Sequence, residues 1–139
     1  MKPHRRYFEA EGRVVVDKHG ARIQFHYDLA KYLNWHLEKK AHLGLQLPYR
    51  AAKIGLYNPK VHKIKPDQTM LNFWKGKKVM VKFYPEDIMY LKSKKGFWVH
   101  FIQFKDDKIN EIVNSLGLKK EFKYHIPHMS ISNGKHLPH

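Results

Sequence analysis

Apolar and polar residues trade places along this chain with two different periods. Lys77 to Tyr84 alternates strictly, which puts Val79, Val81 and Phe83 on one side of an extended segment, as a strand with one buried face requires. Phe97 to Phe104 is apolar on both sides, the pattern of a central strand. Arg5 to Asp17 reads as extended, with Tyr7, Val14 and Val16 as strand formers and Gly12 marking a bend or bulge. Lys18-His19-Gly20 then turns the chain. Lys53 to Tyr57 is a short strand closed by Asn58-Pro59, and Ile88 to Leu91 is another beyond the break at Pro85. Phe122 to Tyr124 and Met129 to Ser132 are short extended pieces around Pro127.

Elsewhere the period lengthens to that of a helix. Phe25, Leu29, Tyr32, Leu33, His36 and Leu37 predict a helix from about Phe25 to Lys39-Lys40, where cations suit the C-terminal dipole. Pro48 blocks any continuation. A second helix begins at Asp106 or Asp107, buries Ile109, Ile112, Val113 and Leu116, and stops at Gly117. Each half therefore reads strand, helix, strand, with extra strands in the middle. This predicts one α+β domain over residues 1–139, with pseudo-duplicated antiparallel sheets and helices packed outside.

Charge changes the picture most. The 139 residues carry 27 Lys+Arg against 12 Asp+Glu, a formal +15. A domain this basic attracts phosphate backbones. Cysteine is absent, which excludes disulfides and thiolate catalysis. Eleven histidines are present, but no His/Asp/Glu set has metal-ligand spacing, and no cofactor motif is present. The mean hydropathy is −0.64 and no apolar run approaches a membrane span. The start, Met1-Lys2-Pro3-His4-Arg5-Arg6, has no apolar stretch behind it. A cytoplasmic monomer that does not engage membranes is the expectation.

The sharpest chemistry is Tyr124-His125-Ile126-Pro127-His128-Met129-Ser130-Ile131-Ser132. In a strand His128 and Ser130 share a face while Met129 and Ile131 point the other way. An imidazole beside a hydroxyl suits a phosphate: one moves a proton, the other bonds a non-bridging oxygen. Preceded by two strands and a helix, His128-Met129-Ser130-Ile131 resembles the second motif of the two-histidine (LigT-like) phosphoesterase superfamily. That superfamily includes RNA phosphodiesterases and phage enzymes that degrade cyclic oligonucleotides, so a phage origin would imply the host cytoplasm. Its members carry two His-apolar-Ser/Thr-apolar motifs on paired strands, one histidine acting as base and the other as acid. The resemblance covers the layout from Arg5 to Leu137 but only this tetrapeptide in specific residues.

By layout, the first motif falls at Lys53-Ile54-Gly55, where lysine replaces the histidine and glycine the hydroxyl. A lysine near its usual pKa of about 10.4 is no base at neutrality. The resemblance then implies an RNA- or nucleotide-binding protein with a degenerate site and little turnover. His128 and Ser130 are its catalytic-type pair, and Lys53, Lys60, His62, Tyr57, Tyr124 and Trp98 its phosphate and nucleic-acid contacts. Two alternatives stand beside it. One is an active metal-independent phosphodiesterase on 2′,3′-cyclic phosphate, 2′–5′ linked or cyclic oligonucleotides, with His128 as general acid/base and Lys53 or His62 in the second role. The other is a basic adaptor or inhibitor for an acidic protein partner. His42 imitates the motif without its hydroxyl, His100 reads as a satisfied core or sheet histidine, and His26 and His36 as partly buried residues of the first helix.

Overall fold

A computed structural model describes residues 7–41, 52–92, 98–104, 107–119 and 126–134. β1 (Phe8–Asp17) and β2 (Gly20–Gln24) form an antiparallel hairpin in which Asp17 pairs with Gly20 across Lys18-His19. The Asp17 carboxylate closes the turn, accepting from the Arg22 guanidinium at 3.0 Å and the His19 backbone N–H at 2.9 Å. Those two bonds, the guanidinium first, hold its pKa below the usual 3.8. Gly20 sits at φ +121° against the Tyr57 carbonyl, a backbone and a space that only glycine accepts.

β3 (Lys53–Tyr57) and β4 (Lys78–Phe83) complete a four-stranded antiparallel sheet in the order β3-β2-β1-β4. A second antiparallel sheet runs β5 (Met89–Lys92), β6 (Trp98–Gln103), β7 (His128–Gly134). α1 (Tyr27–Ala41), α2 (Gln68–Trp74) and α3 (Asp107–Ser115) are the α-helices among the described residues. The fold is therefore mixed α+β, with two antiparallel sheets. None of these helices is long and apolar enough to cross a membrane. β4 alternates buried and exposed as its pattern required, and β6, apolar on both sides, is central. α3 buries Ile109, Ile112 and Val113. It ends where Gly117 adopts φ +77°, Gly117 N–H bonds Asn114 O at 3.0 Å and Leu118 N–H bonds Val113 O at 3.1 Å, the Schellman arrangement.

Four features differ from the sequence expectation. β2 is a strand where only a turn and then a helix were expected: its five residues merge into the helical period that follows. Phe25 precedes α1 because its N–H is bonded to Ala52 O at 2.8 Å. α2 was not anticipated; Asp67 caps it by accepting from Met70 N–H at 3.0 Å, and Leu71 and Trp74 are its buried residues. Trp74 Nε1 donates to Ser115 Oγ at 2.8 Å, which donates to Ile112 O at 2.7 Å, tying α2 to α3. Gly12 makes no bulge. It pairs in register with Val79, and a Cβ there would lie 2.5 Å from Ile23 Cγ2 and 2.8 Å from the Phe25 ring, so glycine admits a close approach of side chains. His26 is exposed and lies before α1, its Nδ1 accepting from Asp28 N–H at 3.1 Å. The expected features at Arg5-Arg6, His42, Pro48, 94–96, Asp106, 122–124 and 135–139 lie outside the described residues.

One apolar cluster joins both sheets and all three helices. It includes Val14, Ile23, Ile54, Leu56, Val81 and Phe83 from the first sheet, Leu33, Trp74 and Ile112 from the helices, and Ile102 and Met129 from the second sheet. His100 is the exception to apolar burial. It is 1% exposed, and neither ring nitrogen has a hydrogen-bond partner among the described residues. It is thus a core histidine, as expected, but an unsatisfied one. Its ring lies 5.9 Å from that of Tyr90, its cross-strand neighbour. Desolvation pushes its pKa below the usual 6.5.

Two predictions follow from this packing. Gly12→Ala must displace buried Ile23 or Phe25, and is expected to lower the unfolding free energy by about 1–3 kcal/mol in urea titration. For His100 the unfolded state takes up the proton first, so stability is intact above pH 6.5 and falls as pH drops towards the lower folded pKa. His100→Leu is expected to remove that loss, up to about 1.4 kcal/mol per pH unit, when unfolding is compared at pH 7.5 and 5.5. Parallel pH profiles of the two proteins would refute it.

Candidate phosphate site at the junction of the two sheets

β3 is an edge strand of the first sheet and β7 an edge strand of the second, and the two lie side by side. Ile54 and Leu56 from β3 and Met129 from β7 enter the same core. The alternate residues therefore leave both strands on the side away from that core: Lys53 and Gly55 from β3, His128 and Ser130 from β7, while Tyr57, where the β2–β3 register shifts, packs against the core. Lys53 is half-buried, Gly55 exposed, His128 exposed and Ser130 half-buried.

His128 follows Pro127, whose carbonyl accepts from Phe104 N–H at 2.8 Å and so fixes the entry to β7. His128 Nδ1 lies 3.1 Å from Ile126 O. A carbonyl only accepts, so Nδ1 carries a hydrogen and the neutral ring keeps its lone pair on Nε2. The edge of one ring meets the other between His128 and Phe101, at 6.1 Å and 77°. Ser130 pairs with Phe101 and His128 with Gln103 across the β6–β7 ladder, and the register slips between His100 and Phe101.

A groove of about 290 Å³ opens on this face, lined by Leu91, Val99, Phe101, Gln103, Ile126, His128 and Ser130. Its wall is apolar and its polar groups are one imidazole, one hydroxyl and one amide. Gln103 also lines a neighbouring hollow of about 520 Å³ with Lys82, Tyr84 and Ile88 among its walls. Phe101 and Gln103 were not picked out from the sequence. The alternation Val99, Phe101, Gln103 was visible, but only the pairing of β6 with β7 shows that this is the His128 side.

The remaining expected contacts divide. Lys53 and Tyr57 are on β3, beside β7, though neither lines the groove. Lys60 and His62 lie in the turn after β3. There His62 Nδ1 accepts from Asn58 N–H at 2.8 Å, and its ring stacks on Tyr57 at 5.6 Å and 17°. Lys60 N–H is bonded to Asn58 Oδ1 at 2.9 Å. These bonds give His62 a role in holding the turn. Trp98 belongs to β6, but its side chain, like all of Tyr124, lies outside what is described. Among the described residues no cluster of three or more His, Asp or Glu is arranged to hold a metal ion.

Comparison with known proteins finds no family model, curated protein or solved structure that matches this chain.

Gly55 is open: a Cβ built there meets no atom within 4 Å. Gly55→Thr is therefore expected to leave thermal stability within about 0.5 kcal/mol of wild type or to raise it. It would also put a hydroxyl on the strand beside β7. A loss of several kcal/mol on denaturation would mean that the β3 face is covered.

Proposed function

We propose that this chain binds the phosphate of an RNA or nucleotide at the β3–β7 junction, with little or no turnover. The protein would be a two-histidine phosphoesterase-like binder whose first motif has become Lys53-Ile54-Gly55. The observation that carries this is the His128–Ser130 pair at the rim of an apolar groove, with Lys53 on the adjoining strand. Ser130 would donate to a non-bridging oxygen, His128 would contact the phosphate through Nε2, and Lys53 would supply charge. Phe101, Val99 and Leu91 offer the apolar surface that a nucleobase requires.

Low turnover follows from the pairing of roles. A positioned acid or base supplies roughly 10²–10⁴ in rate, and an ammonium of ordinary pKa does not replace a second imidazole as base. One observation favours an active phosphodiesterase instead. The Nδ1 contact to Ile126 O leaves Nε2 as the acceptor nitrogen of the neutral ring, as a general base needs.

The test pairs binding with turnover, without metal. Wild type is expected to retain uridine 3′-phosphate, and His128→Ala to weaken it about tenfold or more, the worth of a hydrogen bond to a charged group. RNA ending in a 2′,3′-cyclic phosphate, a 2′–5′ dinucleotide and a cyclic oligonucleotide are expected to survive incubation. Turnover that disappears in His128→Ala would establish the phosphodiesterase. Retention of none of these ligands would overturn both and leave the acidic-protein adaptor.

A further inference from the structure

The register of the first sheet aligns Lys53 with Gln24, Gln24 with Arg13, and Arg13 with Lys78. Directly paired residues in antiparallel strands share a face, and this row lies on the solvent side of β3, β2, β1 and β4. With strands about 4.8 Å apart, it crosses the sheet over about 14 Å. Its first member is on β3, the strand beside β7.

Arg13 and Lys78 are like charges set directly opposite, an arrangement that destabilises a sheet. Among the described residues neither has a carboxylate within ion-pair distance. Arg13 instead donates to Gly76 O at 3.3 Å. The acids on this face are placed elsewhere. Asp17 is taken by Arg22, Glu9 pairs with Lys82, and Glu11 pairs with Met80. Gln24 turns its amide nitrogen to Phe25 O and Ala52 O, so the row is interrupted by a neutral group and not by an acid.

We infer that this row is a track for the phosphodiester backbone of a single-stranded polynucleotide whose terminal phosphate lies at His128 and Ser130. The inference rests on the phosphate-site reading above and extends it: the ligand is an oligonucleotide, not a mononucleotide. Three cations in one row across a sheet, beginning on the strand beside the phosphate site, match a repeating anion. An anion bound between Arg13 and Lys78 also turns their repulsion into attraction. Each cation engaged adds about 0.7 to the slope of log affinity against log salt for a single strand.

Equilibrium binding of uridine 3′-phosphate and of a tetra-uridylate ending in the same 3′-phosphate tests this, with wild type, Arg13→Gln/Lys78→Gln and His128→Ala. The tetranucleotide is expected to bind wild type about tenfold or more tightly at low salt. The double variant should erase that advantage, lower the salt slope by about 1.4 and leave the mononucleotide affinity unchanged. Lys78→Gln alone should raise the melting temperature at low salt while weakening the tetranucleotide, an opposition that simple unfolding does not produce. Equal affinity for the two ligands, or a double variant with wild-type affinity, overturns the track and leaves the phosphate site standing. Displacement of the tetranucleotide by poly-glutamate as readily as by oligo-uridylate marks an acidic-protein surface and also overturns the track. Binding of neither ligand overturns the track and the site together.

Discussion

The shared core beneath β3 and β7 is the constraint on which the rest depends. The two strands belong to different sheets, so no ladder of hydrogen bonds sets one against the other. What relates them is that Ile54, Leu56 and Met129 must all leave water in the same place. Because side chains alternate, that burial fixes Lys53, Gly55, His128 and Ser130 on the other side. A slip of one residue in either strand would bury a lysine or an imidazole and expose Ile54 or Met129, which is why the register is strongly specified.

The approach to β3 is over-determined in the same sense. Ala52 is fully buried and adopts φ +66°, a left-handed conformation that costs a non-glycine residue about 1–2 kcal/mol. Its carbonyl accepts from Phe25 N–H at 2.8 Å and from Gln24 Nε2 at 3.2 Å. Strain of this kind persists where neighbouring contacts outweigh it, and here it aims the chain into the strand that begins with Lys53. At β7 the Pro127 carbonyl has the matching part. Both strands are thus steered at the residue before their start by backbone bonds to other elements.

Charge and burial act on different sides of the same strands. On β6 one face carries Val99, Phe101 and Gln103 to the groove, while His100 lies beneath them, buried and without a hydrogen-bond partner among the described residues. A buried imidazole without partners costs stability, and sheet packing absorbs it. On the first sheet the buried face is wholly apolar, and the open face carries Arg13, Arg22, Lys53, Lys78 and Lys82 with Glu9, Glu11 and Asp17. These charges are therefore borne at no cost to the core, but at some cost where Arg13 and Lys78 meet.

By itself the sequence determined whatever depends on neighbours along the chain. The strands at β1, β3, β4, β5, β6 and β7, the helices at α1 and α3, the glycine stop at Gly117 and the pairing of His128 with Ser130 all follow from periodicity and turn chemistry. It did not reveal β2, because five residues running into a helical pattern carry too little period. Nor did it reveal α2, whose seven residues depend on Asp67 and on Trp74 bonding to Ser115 some forty positions away. It misassigned Gly12 as a bulge, since the reason for glycine there is the pressure of Ile23 and Phe25 from the next strand. Tertiary structure alone decided that β3 adjoins β7, that Phe101 and Gln103 flank His128, and that Lys53, Gln24, Arg13 and Lys78 form one row. These are cross-strand relations between residues far apart in the chain, and register, which no local pattern encodes, is what creates them.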